Sequence, residues 1–374
     1  MKLLFVTHNY LNGDGGSVYA SRAFINAFAC FRDVTLLCPV RGKSSPQEID
    51  PRVCKIPVPY DVPRWRKAID LVLGRIHRYF GILEKFLDED EFDTVVFDTC
   101  YPSFRMLDKV RKRNCRIICI HHNCQCDYAR DSLTFPERPL MLFWLRRCER
   151  QAVRGSDLNL TLTPDDKELL YARYDPCRLS RIEIAGVFEY KFSDLPVPSP
   201  VQDSVFIITG NLGARQNDDS LLLWLETYYP ALKRLVPDAH LIIAGKNPSE
   251  RLTARCRELS LELIASPAEM QPLLYRARWY ICPNDRGGGI KLRIMDALRT
   301  GLPVLTHRMS ARGYGPFRDL ALFLYSDLDS FCSALSRMIR TEVPSQSVQE
   351  AYRASFSFSS GVSRLERILQ EIDG

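Results

Sequence analysis

The sequence predicts two α/β domains in tandem, each built on a parallel sheet with helices on both faces. Short, continuously apolar runs alternate with helix-length amphipathic runs, a pattern that is typical of buried parallel strands. Three prolines within residues 195–200 interrupt the alternation and predict a stiff, non-helical hinge. With 374 residues, the chain is long enough to form two hydrophobic cores.

In the first predicted domain, residues 1–195, the strands are runs rich in Val, Ile, Leu and Phe. They are expected at 2–7, 33–38, 93–98, 116–120 and 158–161. Helices are expected where apolar residues recur every three or four positions. These segments are 17–30, 105–113 and 140–154.

The second predicted domain, residues 196–355, repeats this pattern. Its strands are expected at 204–209, 240–244, 279–282 and 303–306. Its helices are expected at 218–235, 267–276, 290–300 and 330–340. A last helix within 356–374 has no strand after it, and we expect it to pack across the hinge and return to the first domain.

Composition and charge limit the function classes. Hydrophobic residues make up 46% and charged residues 26%, which excludes a disordered chain, a collagen and a small disulfide scaffold. A net charge of +6 suits phosphate-bearing ligands or an anionic membrane surface, but is too small to indicate nucleic acid. Thirteen cysteines and the lack of a secretory signal predict a reduced cytoplasmic protein. No apolar run approaches the ~20 residues of a membrane span.

Parallel sheets bind ligands at the carboxyl ends of their strands, so residues directly after strands are the candidates. The loop Asn12–Ser17 follows the first strand, and its Gly15 and Gly16 precede a helix whose first N–H groups are available to an anion. The dinucleotide spacing G-x-G-x-x-G is not met, because position 18 is Val. A flexible turn without a ligand remains the alternative.

Two histidines, His121 and His122, follow the strand at 116–120. An imidazole in that position can bind a sugar hydroxyl or polarise a reacting group. Cys124 and Cys126 lie close by, but Cys-x-Cys beside adjacent histidines departs from the usual spacing of zinc ligands, so we predict no metal site. For either histidine, the alternative is a structural side chain that is bonded to a neighbouring carbonyl.

The most specific motif is the glycine run Gly287–Gly289 after the strand at 279–282. A helix is expected to begin near Ile290, and its N–H groups together with the glycines would form an anion site. Lys291, in the predicted first turn, opposes the helix dipole and is favourable only beside an anion. Asp296 is placed to accept ribose hydroxyls. The alternative makes Lys291 and Asp296 solvated charges on a helix surface.

Residues 287–304 resemble the donor-binding signature of glycosyltransferase family 4, which adopts the two-domain GT-B fold. The family reads Gly-x-Gly-Ile-Lys-x-Lys-x-x-Glu-Ala-Met-x-x-Gly-x-Pro-Val. This chain reads Gly-Gly-Gly-Ile-Lys-Leu-Arg-Ile-Met-Asp-Ala-Leu-Arg-Thr-Gly-Leu-Pro-Val. Residues 210–248 are similar to a subgroup that acts on surface polysaccharides, and His122–Asn123 and Thr163–Asp165 match the family's first domain.

The resemblance implies two Rossmann-like, doubly wound domains that face a central cleft. It also implies an enzyme that moves a sugar from a nucleotide-diphospho-sugar to a glycan or lipid-linked acceptor, with retention. Gly288–Lys291 would hold the diphosphate and Asp296 the ribose. Gly15–Gly16 would face the diphosphate from the first domain, and His121 or His122 would approach the sugar. The nucleotide sugar is a substrate, and no cofactor or metal is implied.

Three positions depart from the family pattern. Asp296 stands where Glu is usual, and Gly288 stands where an acidic residue commonly contacts the donor sugar, with Asp285 as the candidate substitute. The usual Arg and Lys of the second domain's first loop are missing in register, and Arg215 and Arg286 are the candidate replacements. These departures keep open a non-catalytic GT-B protein that binds a partner. A sugar-nucleotide epimerase is a further alternative.

Two other segments carry weaker hypotheses. Asp327–Asp329 has the Asp-x-Asp form of some metal-dependent transferases, but it precedes a predicted helix, where acidic residues act as caps. Residues 62–78 carry five basic residues and one acid, with apolar side chains at helical spacing. Such a helix can lie on anionic lipid. The alternative is a surface helix whose apolar face joins the core.

Overall fold

The structure is a computed structural model, and it describes residues 1–13, 15–40, 46–59, 65, 69, 72, 80–132, 137–196, 204–286 and 289–373. The chain divides into two compact units. The first comprises Met1–Phe192 together with the chain beyond Phe356, and the second comprises Ser193–Phe356.

The first unit contains a seven-stranded parallel sheet. Its strands are β1 (Lys2–Thr7), β2 (Asp33–Val40), β3 (Cys54–Pro59), β4 (Thr94–Asp98), β5 (Arg116–His121), β6 (Leu158–Thr161) and β7 (Ile182–Ile184). They pair in the order β3-β2-β1-β4-β5-β6-β7. Strand β4 is buried along its whole length, as expected for a strand that is covered on both faces.

Seven described helices belong to the first part of this unit. They are α1 (Gly16–Ala29), α2 (Phe80–Glu89), α3 (Cys100–Ser103), α4 (Leu107–Arg111), α5 (Gln125–Ser132), α6 (Glu137–Gly155) and α7 (Pro164–Tyr174). Helix α7 begins where its sequence directs, because Thr163 accepts a hydrogen bond from the Asp166 N–H and Pro164 occupies the first turn.

The second unit contains a six-stranded parallel sheet in the order β10-β9-β8-β11-β12-β13. Its strands are β8 (Val205–Asn211), β9 (His240–Lys246), β10 (Glu262–Ala265), β11 (Trp279–Cys282), β12 (Val304–His307) and β13 (Leu322–Tyr325). Its α-helices are α8 (Arg215–Thr227), α9 (Tyr229–Leu235), α10 (Glu250–Glu258), α11 (Gln271–Leu274), α12 (Leu292–Arg299), α13 (Leu328–Arg340) and α14 (Ser345–Phe356). Trp224 and Phe331 meet at 6.1 Å between ring centroids in its core.

The final helix, α15 (Phe358–Asp373), belongs to the first unit, as predicted. It packs against α1. Gly361 lies so close to Phe188 that a Cβ there would come within 2.1 Å of the ring. Arg364 donates a 2.8 Å hydrogen bond to the Ala185 carbonyl. The last helix therefore completes the unit that the first strand begins.

Two differences from the sequence predictions have clear causes. Strand β3 was not predicted because it contains Pro57 and Pro59, which lack N–H donors. The two prolines are tolerated because β3 is an edge strand that pairs on one side only. The single helix predicted at 218–235 is wrong: the chain forms two helices that meet at Tyr228, because Pro230 cannot continue a helix and instead occupies a first turn.

Candidate functional site

In the first unit, polar side chains gather at the carboxyl ends of three adjacent strands. Thr7 ends β1, Asp98 ends β4 and His121 ends β5. The register places Thr7 beside Asp98, and Asp98 beside Ile120. The sheet therefore brings together residues that are far apart in the sequence.

Asp98 is the centre of this group, and it is fully buried. Its Oδ1 lies 2.5 Å from Nε2 of His122, and its Oδ2 accepts hydrogen bonds from Thr7 Oγ1 at 2.5 Å and Ser21 Oγ at 2.6 Å. Burial would raise the pKa of Asp98, but the His122 ring and the two hydroxyls together lower it. The group is therefore a carboxylate that is held from both sides.

His8 and Thr99 extend the group. Thr99 Oγ1 lies 3.1 Å from His8 Nδ1, and Thr99 holds a positive φ of 81°, which is uncommon for a β-branched residue. The His8 ring packs edge-on against Tyr101, with 4.8 Å between centroids. Burial lowers the pKa of His8, although the Asp98 carboxylate raises it. The His8 ring is thus held largely neutral by its surroundings.

His121 and His122 are consecutive residues, but their side chains have different hydrogen-bond partners. Nε2 of His121 lies 2.9 Å from Oδ1 of Asn159 on β6, and burial lowers the pKa of His121. Nδ1 of His122 is buried and has no hydrogen-bond partner among the residues that the structure describes. The two predicted catalytic side chains are therefore directed to different neighbouring strands.

The helix that follows the predicted glycine loop is linked to the same carboxylate. Gly15 is the N-cap of α1 and Gly16 its first residue, and both are exposed. Ser17 donates to Asn9 Oδ1 at 3.4 Å, and Asn9 donates to Ser21 Oγ at 2.9 Å and, more weakly, to Asp98 at 3.4 Å. The start of α1, which has no acidic residue in its first turn, thus joins the Asp98 group through Asn9.

In the second unit, Gly210 at the end of β8 lies against the guanidinium of Arg293. A Cβ on Gly210 would come within 2.8 Å of Arg293 Nη1. Arg293 donates a 3.0 Å bond to Oδ1 of the buried Asn284, whose amide in turn donates to Asn217 at 2.9 Å. The guanidinium of Arg293, which α12 provides, is therefore fixed over the end of β8.

Asp285 and Arg286 follow β11. Asp285 accepts a 2.7 Å hydrogen bond from Ser220 and two from Arg286, at 3.1 and 3.3 Å. Burial would raise the pKa of Asp285, but Arg286 and Ser220 lower it. Arg215, in the first turn of α8, is 83% exposed and lies 3.8 Å from Asp219. Each of the two arginines predicted to replace the missing basic residues thus lies beside an aspartate: Arg286 beside Asp285, and Arg215 beside Asp219.

The prediction that Lys291 occupies the first turn of its helix is wrong. Lys291 is the N-cap of α12, with φ −95° and ψ 89°, and the helix begins at Leu292. The Lys291 carbonyl accepts hydrogen bonds from the Ile294 N–H and from the Tyr314 hydroxyl, at 2.9 and 2.8 Å. The bond from Ile294 opens the helix and the bond from Tyr314 anchors its start, which has no acidic side chain in its first turn.

The other residues of the motif are placed as follows. Gly289 has a φ of 73°, a conformation that favours glycine, and it and Ile290 are half-buried. Asp296 is exposed on the surface of α12. Gly287 and Gly288 lie outside the described residues.

The segment 62–78 also falls largely outside the described residues, including all its basic side chains. The structure describes Trp65, Ile69 and Val72 as helical and exposed.

Asp327 caps α13 in a reciprocal arrangement with Ser330, which supports its interpretation as a cap. Within the described chain, no group of three His, Cys, Asp or Glu side chains is placed to hold a metal ion.

Sequence reasoning missed His8, Asn9, Asp98, Asn284 and Arg293. Four of the five stand at or within two residues of a strand's carboxyl end, the position that the analysis had singled out. The signal for Asp98 was a carboxylate that directly follows Val95, Val96 and Phe97 in a predicted buried strand, because burying a carboxylate is costly unless it is bonded. Arg293 fills the second basic position of the Ile-Lys-x-Lys pattern.

Comparisons with known proteins support both fold and family resemblance. Residues 203–341 match the family model described as "Glycosyl transferases group 1", which confirms the predicted resemblance over the second unit. No match is found among curated protein sequences. Among the helices formed by described residues, none is long and apolar enough to cross a membrane.

Solved structures resemble the whole chain. Sucrose-phosphate synthase from Thermosynechococcus elongatus has a TM-score of 0.72 at 12% identity, covering 99% of this chain and 98% of that one. HepE from Anabaena, in complex with UDP-glucose, has a TM-score of 0.67 at 13% identity, covering 99% and 100%. The lipopolysaccharide outer core galactosyltransferase WaaB has 0.66 at 14%, covering 99% of each. At these identities the likeness concerns the fold, and it confirms the predicted GT-B class of two Rossmann-like domains.

Proposed function

We propose that this protein is a glycosyltransferase that moves a sugar from a nucleotide-diphospho-sugar to a glycan or lipid-linked acceptor in surface polysaccharide assembly, with retention at the anomeric carbon. The observation that carries the proposal is the match of residues 203–341 to the glycosyl transferases of group 1, a segment that contains the motif at 287–304. HepE, a protein of the same fold, is solved with UDP-glucose.

The second unit offers the chemistry that a diphosphate needs. Helix α12 begins without an acidic side chain in its first turn, so its first N–H groups and its dipole favour an anion. Arg293 adds a cation above the end of β8, where Gly210 has no side chain to displace it. Arg293, with Lys291, would take the place of the basic pair that the first loop lacks.

No protein nucleophile is required by this proposal. The leaving diphosphate would assist the acceptor hydroxyl, while the enzyme positions the substrates and stabilises the charge that develops on the leaving group. Backbone N–H groups, a lysine and an arginine suit that role. We propose that no metal takes part, so EDTA should leave transfer unchanged, and activity that is abolished by EDTA and restored by manganese would contradict this.

The proposal is tested by thermal denaturation with UDP-, GDP-, ADP- and TDP-sugars. A ligand that binds only the native state raises its melting temperature by mass action, so the true donor should separate from the others. That donor should then be hydrolysed slowly without acceptor, which is measured as release of the nucleoside diphosphate. If no nucleotide sugar stabilises the protein, the proposal is refuted.

A second candidate is a non-catalytic GT-B protein that binds a partner. One observation favours it: Gly288 replaces the acidic residue that commonly contacts the donor sugar, and Asp285, the substitute, is already bonded to Ser220 and Arg286. A donor that binds but is never cleaved, with or without acceptor, would select this candidate. Conversion of the donor sugar without acceptor would instead indicate the epimerase.

We also propose that the protein works in the cytoplasm, at the inner face of the membrane. Trp65, Ile69 and Val72 are exposed apolar side chains at helical spacing in a segment that is basic by sequence. Flotation with vesicles of anionic lipid, compared with vesicles of neutral lipid, tests this contact. Neutralising the arginines of residues 62–78 should abolish flotation with the anionic vesicles.

A further inference from the structure

The start of α12 is held by a tyrosine from a later part of the chain. Tyr314, 23 positions beyond Lys291, donates its hydroxyl to the Lys291 carbonyl at 2.8 Å. The same carbonyl accepts the 2.9 Å bond from the Ile294 N–H that opens the helix. A carbonyl oxygen can accept two hydrogen bonds, and here one donor belongs to the helix and the other does not. The N-cap of α12 is therefore anchored from outside the helix as well as from within it.

The ring of Tyr314 is itself fixed by packing. Its side chain is fully buried. Phe356, the last residue of α14, meets the Tyr314 ring edge-on at 5.5 Å between centroids, and Phe317 stacks on Phe356 at 5.6 Å. Burial raises the pKa of the Tyr314 hydroxyl well above its usual value, so the hydroxyl keeps the proton that it donates. The surrounding aromatic side chains thus determine where the hydroxyl lies.

The conformation of this helix start decides where an anion can bind. The first N–H groups of a helix have no partners within it, and they are directed at one point only while the cap residue keeps one conformation. At Lys291 that conformation has φ −95° and ψ 89°. Arg293, the second residue of α12, is bonded to Asn284, so the position of its guanidinium also depends on where the helix begins. The N–H groups and the cation of the proposed diphosphate site therefore share one support.

We propose that Tyr314 is a positioning residue for the donor diphosphate, which acts through the Lys291 carbonyl by holding the start of α12 in its binding conformation. The inference rests on the proposed glycosyltransferase function. In this role Tyr314 does not contact the donor, because it is fully buried and its hydroxyl is bonded to the backbone. Removal of the hydroxyl should therefore weaken binding although every group that binds the donor is still present.

The test removes the hydroxyl alone. Tyr314→Phe keeps the ring and its aromatic contacts but takes one donor from the Lys291 carbonyl. Loss of a neutral hydrogen bond corresponds to about a two- to tenfold change in an equilibrium constant. The affinity for UDP, or for the nucleoside diphosphate of whichever nucleotide sugar raises the melting temperature, should fall by about that factor in a calorimetric titration.

Tyr171→Phe is the matched control. Tyr171 is buried in the first unit, and its hydroxyl donates a 3.1 Å bond to the Ser180 carbonyl. Both variants lose a bond from a tyrosine to a backbone carbonyl, so both should lower the urea midpoint, but only Tyr314→Phe should bind the diphosphate more weakly. Equal affinity of Tyr314→Phe and the unchanged protein, or an equal loss in Tyr171→Phe, overturns the inference and leaves the proposed function intact.

Turnover gives a readout that a loss of stability does not change. Negative charge develops on the diphosphate as the sugar leaves, so the helix start interacts more strongly with the transition state than with the bound donor. Tyr314→Phe should therefore lower kcat in addition to raising the KM for the donor, and Tyr171→Phe should change neither. A merely structural tyrosine would leave both constants of the folded enzyme unchanged, and that result overturns the inference.

If Tyr314→Phe does not fold, a label that keeps the hydroxyl decides. Fluorotyrosine placed at position 314 alone should give a fluorine resonance that shifts when the nucleoside diphosphate saturates the protein, whereas the same label at position 171 should not shift. A resonance at position 314 that stays fixed overturns the inference. If neither a nucleotide sugar nor its nucleoside diphosphate binds the unchanged protein, the proposed function is refuted and the inference falls with it.

Discussion

Replacement of Gly210 by alanine tests how the second unit holds its arginine. The added Cβ would lie 2.8 Å from Nη1 and 2.9 Å from Cζ of Arg293, and Gly210 has a φ of 151° that side chains rarely adopt. Because the clashing atoms end a flexible side chain, we expect Arg293 to swing away and lose its bond to Asn284.

The magnitude follows from three contributions. Loss of a hydrogen bond from a charged donor costs about 1.5–3 kcal/mol, and the partial exposure of Arg293 places it at the lower end. Backbone strain adds about 1 kcal/mol. Alanine restricts the unfolded chain more than glycine does, which offsets this destabilisation by about 0.4–1 kcal/mol. We therefore expect Gly210→Ala to lower the free energy of unfolding by about 1–3 kcal/mol.

The assay is urea denaturation, in which the midpoint should fall at an unchanged m-value. Donor affinity, measured by calorimetric titration, should fall as well because Arg293 has left its place. Gly315→Ala is the matched control, since a Cβ there meets nothing within 4 Å. If Gly210→Ala unfolds at the same urea concentration as the unchanged protein and binds donor equally, the account of Arg293 is refuted.

Three further predictions concern other parts of the chain. Lys291→Ala should lower turnover about ten- to hundredfold through loss of a charged contact, whereas Arg340→Ala should not; equal activity of the two would remove Lys291 from the site. The pKa of Asp98 is lowered in the folded state, so its carboxylate stabilises the fold at neutral pH. This contribution is lost as the pH falls through the folded-state pKa. Below about pH 4, the urea midpoint of Asp98→Asn should therefore fall less steeply with pH than that of the unchanged protein. Gly361→Ala should lower the melting temperature despite the better helix propensity of alanine, because its Cβ would overlap the Phe188 ring.

The last of these predictions has a control on the same helix. Ser363 is exposed on α15, so Ser363→Ala should report helix propensity alone and leave the melting temperature equal or slightly higher. A stabilised Gly361→Ala would mean that α15 does not pack on Phe188 as the structure has it.

The fold was largely predictable because its strands are continuous apolar runs, and parallel strands that are buried on both faces leave that mark in any sequence. Strand β3 left a weaker mark, since its prolines are admissible only at an edge and the sequence does not say which strand lies there. Short strands such as β7 were missed for a related reason, because three residues carry too little pattern.

The sequence predicted where in the chain the candidate site residues lie, but not which of them contact one another. The rule that ligands bind after strands led to His122, yet the Thr7–Asp98 bond joins residues 91 positions apart, and only the sheet order brings them together. The predicted helix began near Ile290, two residues before the observed start at Leu292, because helix boundaries depend on the cap. Here the cap carbonyl is bonded to Tyr314, 23 positions away, which no local pattern reveals.

The return of α15 to the first unit affects the order in which the protein can be completed during synthesis. Helix α1 precedes the second unit in the chain, yet the surface that it offers to α15 stays uncovered until Phe358–Asp373, which follows that unit, has been made. The second unit, Ser193–Phe356, is continuous in the chain and has all its own elements before that moment. The first unit can therefore be completed only after the second has been translated, and a chain that stops short of Phe358 would lack a helix of the first unit, not of the second.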